Sequence, residues 1–178
     1  MANEIHPNRD IGKNPIEIAS SDGDIILRQF TPQDAEEIFA LIDKNRVFLS
    51  QNDEPTAAKY PTLKSVKESI EHSENPDRLR FAIRNKEGTY VGSINLTPDE
   101  KDPAQAEIGS YLGEEFQGRG YAGRAHEVLA NYGFDFLDYE TIYGDIAQTN
   151  TRSIKMVERL GWKMIGKNDG KIRYSKQK

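Results

Sequence analysis

The chain has 178 residues, no cysteine, 24 Lys and Arg against 29 Asp and Glu, and a formal net charge of −5. That length suits one domain able to fold without a disulfide or a metal, and the missing cysteine excludes a disulfide scaffold, a cysteine-ligated zinc site and a thiol nucleophile. A mildly acidic chain is a poor general binder of nucleic acid or of an anionic membrane, and no apolar run approaches the roughly 20 residues of a membrane span. Residues 1–14 (MANEIHPNRDIGKN) are polar and aperiodic and are read as a flexible lead-in, which leaves 15–178 as a single domain. The start of the chain lacks the apolar core of a signal peptide, so the expected compartment is the cytoplasm.

Ile16 and Ile18, the turn-rich Ser20-Ser21-Asp22-Gly23 and the run from Ile25 to Arg28 predict a hairpin. Thr31-Pro32-Gln33-Asp34 is a helix start, with Ala35, Ile38, Leu41 and Ile42 recurring at helical spacing behind it. Residues 50–62 read as a loop. A second helix begins near Thr62, with Leu63, Val66 and Ile70 on one face, and Asn75-Pro76-Asp77 ends it. The period then becomes two. Leu79, Phe81 and Ile83 form one strand, Tyr90 to Leu96 returns with Gly92 marking a bulge, and a third strand sets Ala106, Ile108, Ser110 and Leu112 against Glu107, Gly109 and Tyr111. These three segments predict an antiparallel meander. A long helix after Gly123 carries Ala125, Val128, Leu129, Tyr132 and Phe136 on its inner stripe. Ile142 to Ala147 is a short strand, Asn150 caps a last helix with Ile154, Val157 and Leu160 along its seam, and Gly161 stops it. Trp162 to Gly166, Asn168-Asp169-Gly170 and Lys171 to Ser175 close the chain as a hairpin. The fold class is α/β (α+β): a central mixed, mostly antiparallel, twisted sheet flanked by about four helices.

The chemistry gathers in Gln117-Gly118-Arg119-Gly120-Tyr121-Ala122-Gly123, which joins a strand to a helix. Glycine admits positive φ and lets main-chain N–H groups approach a ligand closely, and a helix start adds its own unpaired N–H groups. Together they suit an anion such as a pyrophosphate, with Arg119 and Arg124 as added positive charge. A plain glycine-rich turn has the same letters. So does the G-x-G-x-x-G of a dinucleotide-binding oxidoreductase, but there the glycines follow their strand at once, whereas residues 113–117 intervene here. His6, His72 and His126 show no ligand spacing, and no metal is expected.

Gln117, Gly120 and Ala122 fit the [Gln/Arg]-x-x-Gly-x-[Gly/Ala] signature, and Asn150-Thr151-Arg152-Ser153 with Glu158-Arg159-Leu160-Gly161-Trp162 looks like a second motif, N-x-x-[Ala/Ser]…E-x-x-G-[Phe/Trp]. By these two motifs and the element order, residues ~24–175 resemble the GNAT superfamily of acetyl-CoA-dependent N-acetyltransferases. Ser153 and Val157 resemble its ribosomal-protein N-terminal (Rim-type) branch.

The resemblance implies acetyl-CoA as co-substrate and direct attack of an amine on the thioester. Ser110, Tyr111 and Leu112 would pair with the pantetheine arm, the loop from Gln117 through Gly118, Arg119, Gly120, Tyr121, Ala122 and Gly123 would hold the pyrophosphate, and Asn150 would bond the arm. Glu107 is the expected base and Ser153 the expected donor to the leaving thiolate, since Val157 stands where many members carry a Tyr. Each has a plainer reading: a solvated strand carboxylate for Glu107, a helix cap for Asn150, and a first-turn serine bonded to the backbone for Ser153. The attacking amine must be neutral. At pH 7 a lysine of pKa ~10.4 is free base in roughly one molecule per 2,500, an α-amine of pKa ~7.8 in roughly one in seven. The expected partner is an amine acceptor, with no nucleic acid and no membrane; a homodimer is compatible with a sequence that carries no signal for oligomeric state. A GNAT fold that binds CoA without turnover is the alternative.

Overall fold

The protein is described by a computed structural model that covers residues 15–178. The expected lead-in over 1–14, and His6 with it, lie outside the described residues. Eight strands form one sheet: β1 (Glu17–Ala19), β2 (Ile25–Gln29), β3 (Leu79–Asn85), β4 (Tyr90–Pro98), β5 (Gln105–Leu112), β6 (Thr141–Ala147), β7 (Lys163–Asn168) and β8 (Lys171–Gln177), in the order β1-β2-β3-β4-β5-β6-β8-β7. All neighbours are antiparallel except β5 and β6. The helices are α1 (Ala35–Lys44), α2 (Arg46–Leu49), α3 (Thr56–Lys59), α4 (Leu63–Glu71), α5 (Tyr121–Phe136) and α6 (Thr151–Arg159). None of them is long and apolar enough to cross a membrane.

Alternation along the strands sends apolar side chains to both faces, and each face has its own core. On one, Phe81, Ile83, Ile94 and Leu96 meet Leu129, Ala130 and Phe134 of α5. On the other, Ala82 and Tyr90 meet Ile38 and Ile42 of α1 and Val66 and Ile70 of α4. The predicted meander is β3-β4-β5. Its bulge falls at Val91, between the pairs Ile83–Gly92 and Arg84–Tyr90. Gly92 is needed beside it because an added Cβ would lie 2.1 Å from the Tyr111 carbonyl. The closing turn is left-handed at both Asp169 and Gly170 (φ 45° and 77°), which suits the twist of a two-residue hairpin.

Two expectations are corrected. The segment 50–62 is not a plain loop: a 3-10 turn (Gln51–Asp53) and α3 lie within it. Phe136 is not on the inner stripe of α5. It is 73% exposed and stacks on Tyr132, 5.3 Å between ring centroids. The buried face runs through Ala125, His126, Leu129, Ala130, Gly133 and Phe134.

Candidate active site

β5 and β6 pair only over Gln105–Glu107 and Thr141–Tyr143. Beyond Glu107 the ladder stops, so Ser110-Tyr111-Leu112 has no strand partner on its β6 side. The opening holds two cavities that share Ser110, Tyr111, Asn150 and Ser153 as lining. One, of about 320 Å³, also takes in Leu112, Gln117 and Ala122. The other, of about 500 Å³, reaches Glu107, Asp145 and Lys171. A single cleft therefore runs from the glycine-rich turn to Glu107. Gly118, Arg119, Gly120, Tyr121 and Gly123 line neither cavity. They build the turn and helix start that flank Gln117 and Ala122.

At that turn Gly118 and Gly120 have φ of 76° and 80°, the left-handed region that glycine enters without strain. Gly120 is the N-cap of α5, and the first helical bond runs from the Arg124 amide to the Gly120 carbonyl at 3.1 Å. The amides from Gly118 through Gly123 donate to no acceptor among the described residues. Arg124 differs from its expected role. Its Nε bonds Asp22 Oδ2 at 2.6 Å and its Nη2 meets Asp24 Oδ2 at 2.9 Å, so the β1–β2 turn neutralises it. That guanidinium holds the Asp22 carboxyl well below the usual carboxylate range. A third nitrogen, Nη1, donates to the Arg119 carbonyl at 3.3 Å and ties the hairpin to the turn.

Asn150 caps α6, its Oδ1 accepting from the Ser153 amide at 3.2 Å. The Ser153 hydroxyl has no partner among the described residues and the residue lines both cavities, so the backbone-bonded reading of this serine is not what the fold adopts. Val157, one turn on, is buried.

Glu107, Gly109 and Tyr111 share one face of β5 opposite Thr97, Asn95 and Ser93 of β4. Tyr111 is anchored, its hydroxyl 3.0 Å from that of Tyr90 and 3.1 Å from that of Ser93, and burial raises its phenol. Glu107 lines the larger cavity with its side chain open to solvent. Partial desolvation lifts its carboxyl above the ordinary value, and the negative Asp145 adds to the lift. Asp145 itself is gripped by Arg173, Nε at 2.7 Å and Nη2 at 2.6 Å, which lowers its own carboxyl. Periodicity did not single out Arg78, Arg80 or Asp145, which complete the larger cavity together with residues of 52–60. His126 is a packing residue: burial lowers its imidazole, Nδ1 lies 2.9 Å from the Ala122 carbonyl, and the ring meets Trp162 edge-on.

The antiparallel β4–β5 pair does not fit the doubly wound parallel sheet that a dinucleotide site requires. Comparison with known proteins agrees. Residues 24–163 match the family model described as an acetyltransferase (GNAT) domain. An uncharacterised N-acetyltransferase, p20, of Bacillus licheniformis is 33% identical over 88 residues, 49% of either chain, so the match spans about half of that relative's length. The provisionally named ribosomal N-acetyltransferase YdaF of Bacillus subtilis strain 168 is 29% identical over 157 residues, 80% of each chain. Among solved structures, the ribosomal-protein-S5-alanine acetyltransferase of Vibrio fischeri superposes with a TM-score of 0.76 at 20% identity, covering 91% of this chain and 96% of that one.

Proposed function

The chain belongs to the GNAT acetyltransferase family, and from that premise we propose that it moves an acetyl group from acetyl-CoA to a primary amine by direct attack in a ternary complex. The observation that carries the reading is the run of amides from Gly118 to Gly123 without acceptors, next to a strand edge without a partner. The amides and the positive end of α5 suit the pyrophosphate. The free edge of Ser110-Tyr111-Leu112 suits the amide groups of the pantetheine arm, which can add to it as a strand would. Asn150 Oδ1 is used by the cap, and its amide nitrogen is left to donate to the arm.

The reaction forms a C–N bond and breaks a C–S bond. Glu107 takes the proton of the attacking amine through a water, and its raised pKa improves it as a base near neutral pH. Ser153 donates its hydroxyl to the departing thiolate, the task that a Tyr at position 157 performs in many members of the superfamily. The acceptor is a peptide α-amine or a small-molecule amine; the name carried by the Bacillus subtilis relative makes a ribosomal acceptor the first to try.

The test is release of free thiol from acetyl-CoA in the presence of a panel of peptides and small amines. Amine-dependent release at one thiol per acetylated product supports the reading. Binding of CoA with no release on any amine would instead support a non-catalytic CoA-binding module.

A further inference from the structure

The opening between β5 and β6 has a carboxylate on each lip. Glu107 pairs with Tyr143, the last pair before the strands part, so their side chains share one face of the sheet. Asp145 lies two residues beyond Tyr143 and, by strand alternation, on that same face. Gly109, the next residue of β5 on this face, puts no side chain between the lips, and its carbonyl accepts from Asn95 Nδ2 at 3.1 Å. Glu107 and Asp145 line the same cavity, and Asp145 is close enough to act on the Glu107 carboxyl.

Asp145 is held from outside that cavity. Its register partner Arg173 grips both oxygens, Nε on Oδ1 at 2.7 Å and Nη2 on Oδ2 at 2.6 Å. The Arg173 guanidinium lies over the Tyr143 ring, 4.2 Å from its centroid. The Tyr143 hydroxyl donates to Asp99 Oδ2 at 2.6 Å, and Asp99 Oδ1 accepts from the Lys101 and Asp102 amides at 2.8 and 3.0 Å. Arg173, Tyr143 and Asp99 line neither cavity. This chain of contacts fixes Asp145 and uses one acceptor position on each of its oxygens. A carboxylate has about four such positions, so acceptor capacity is left over on a residue that lines the cavity. An ion-paired carboxylate also attracts an ammonium less than a bare one does, and only the neutral amine attacks.

Resting on the reading above, we infer that Asp145 is a second amine-binding residue of the reaction and selects primary amines. A neutral primary amine has two N–H bonds and one lone pair. One N–H goes to the water on Glu107 and the other to Asp145, which turns the lone pair toward the thioester carbon in the opening. As the C–N bond forms and the C–S bond breaks, Glu107 receives one proton through the water. Asp145 keeps the N–H that remains in the product amide. A secondary amine has a single N–H. It serves the base but presents an alkyl group to Asp145, which leaves a partly desolvated carboxylate short of a donor.

The experiment follows thiol release from acetyl-CoA with two matched pairs: butylamine against N-methylbutylamine, and amidated Ala-Ala-Ala-Ala against the same peptide begun with N-methylalanine. The readout is the ratio of kcat/KM within each pair, in which the folded fraction of a preparation cancels. The wild-type chain favours the primary member at least about tenfold, as one hydrogen bond to a charged group predicts. Asp145→Ala cuts that ratio at least about fivefold. Arg173 has 43% of its side chain exposed, so water solvates it when its partner is gone. Arg173→Gln keeps the carboxylate but releases its clamp, and lowers the ratio less. Glu107→Gln slows both members and keeps the ratio. A ratio in Asp145→Ala within about twofold of the wild type, or a wild type indifferent to N-methylation, overturns the role of Asp145 and leaves the proposed reaction standing. No thiol release with these amines or with the wider panel overturns the reaction and the inference with it.

Discussion

Glu107 sits on an exposed strand face, yet its carboxyl is held above the ordinary 4.5 by partial desolvation and by Asp145. A raised carboxyl pKa means that the folded state binds the proton more readily than the unfolded chain does, so ionised Glu107 costs stability. That cost is fully present above the raised value and vanishes as pH falls below 4.5. Glu107→Gln therefore raises the melting temperature near pH 7 and leaves it unchanged in acid, as thermal scans across pH can show. The same substitution lowers kcat/KM about 10²-fold, the lower range for loss of a general base. It also removes from the pH profile the acid limb that belongs to Glu107, while the limb of the amine itself remains. Ser153→Ala has a different signature: kcat falls about tenfold, as for loss of one hydrogen bond to a charged group, and KM for acetyl-CoA stays within about twofold. An equal loss in Glu107→Gln at all pH values would contradict the assignment of the base. Strand alternation was enough to place Glu107 beside Gly109 and Tyr111. It could not reveal the Asp145–Arg173 pair, because the two residues are 28 positions apart and meet only when β6 and β8 are adjacent.

The elements whose starts and stops are written in local chemistry were legible. Asn150 caps α6, Gly161 is left-handed at φ 80°, and the glycine-rich turn opens α5. The one-turn helices between 46 and 59 were not, because they are held from a distance. Arg46 Nη1 donates to the Ala57 carbonyl at 2.9 Å and Nη2 to those of Tyr60 and Pro61 at 3.3 and 3.2 Å. The misplaced end of the α5 stripe, Phe136, has an equally concrete cause. The helix packs so tightly on the sheet at Gly133 that an added Cβ would lie 2.8 Å from Ile142 Cδ1, and a count of large apolar residues overlooks a glycine. The turn before α5 makes a graded prediction. Gly118→Ala meets no neighbour within 4 Å and suffers only the backbone strain of φ 76°, about 1 kcal/mol. Gly120→Ala adds a Cβ 2.5 Å from Arg124 Nη1 and disturbs the clamp to Asp22 and Asp24 as well. Its affinity for acetyl-CoA falls further than that of Gly118→Ala, which calorimetry on the two variants would rank.

Across the molecule, one feature of the sheet makes the site: the change from antiparallel to parallel pairing at β5–β6, where only three residue pairs form before the strands part. Two cores, one on each face, keep the sheet rigid on both sides of that opening. Phe81 is fully buried in the one under α5, and Phe81→Ala is expected to cost about 3–5 kcal/mol, seen as a lower urea midpoint with an unchanged slope. The central claim is that unpaired amides from Gly118 to Gly123 grip a pyrophosphate at the head of this cleft. Isothermal titration of the wild-type protein with acetyl-CoA tests it most directly. One molecule bound per chain, with affinity reduced at least about tenfold in Gly120→Ala, is the predicted result; no detectable heat of binding to the wild type, or undiminished affinity in the variant, would contradict it.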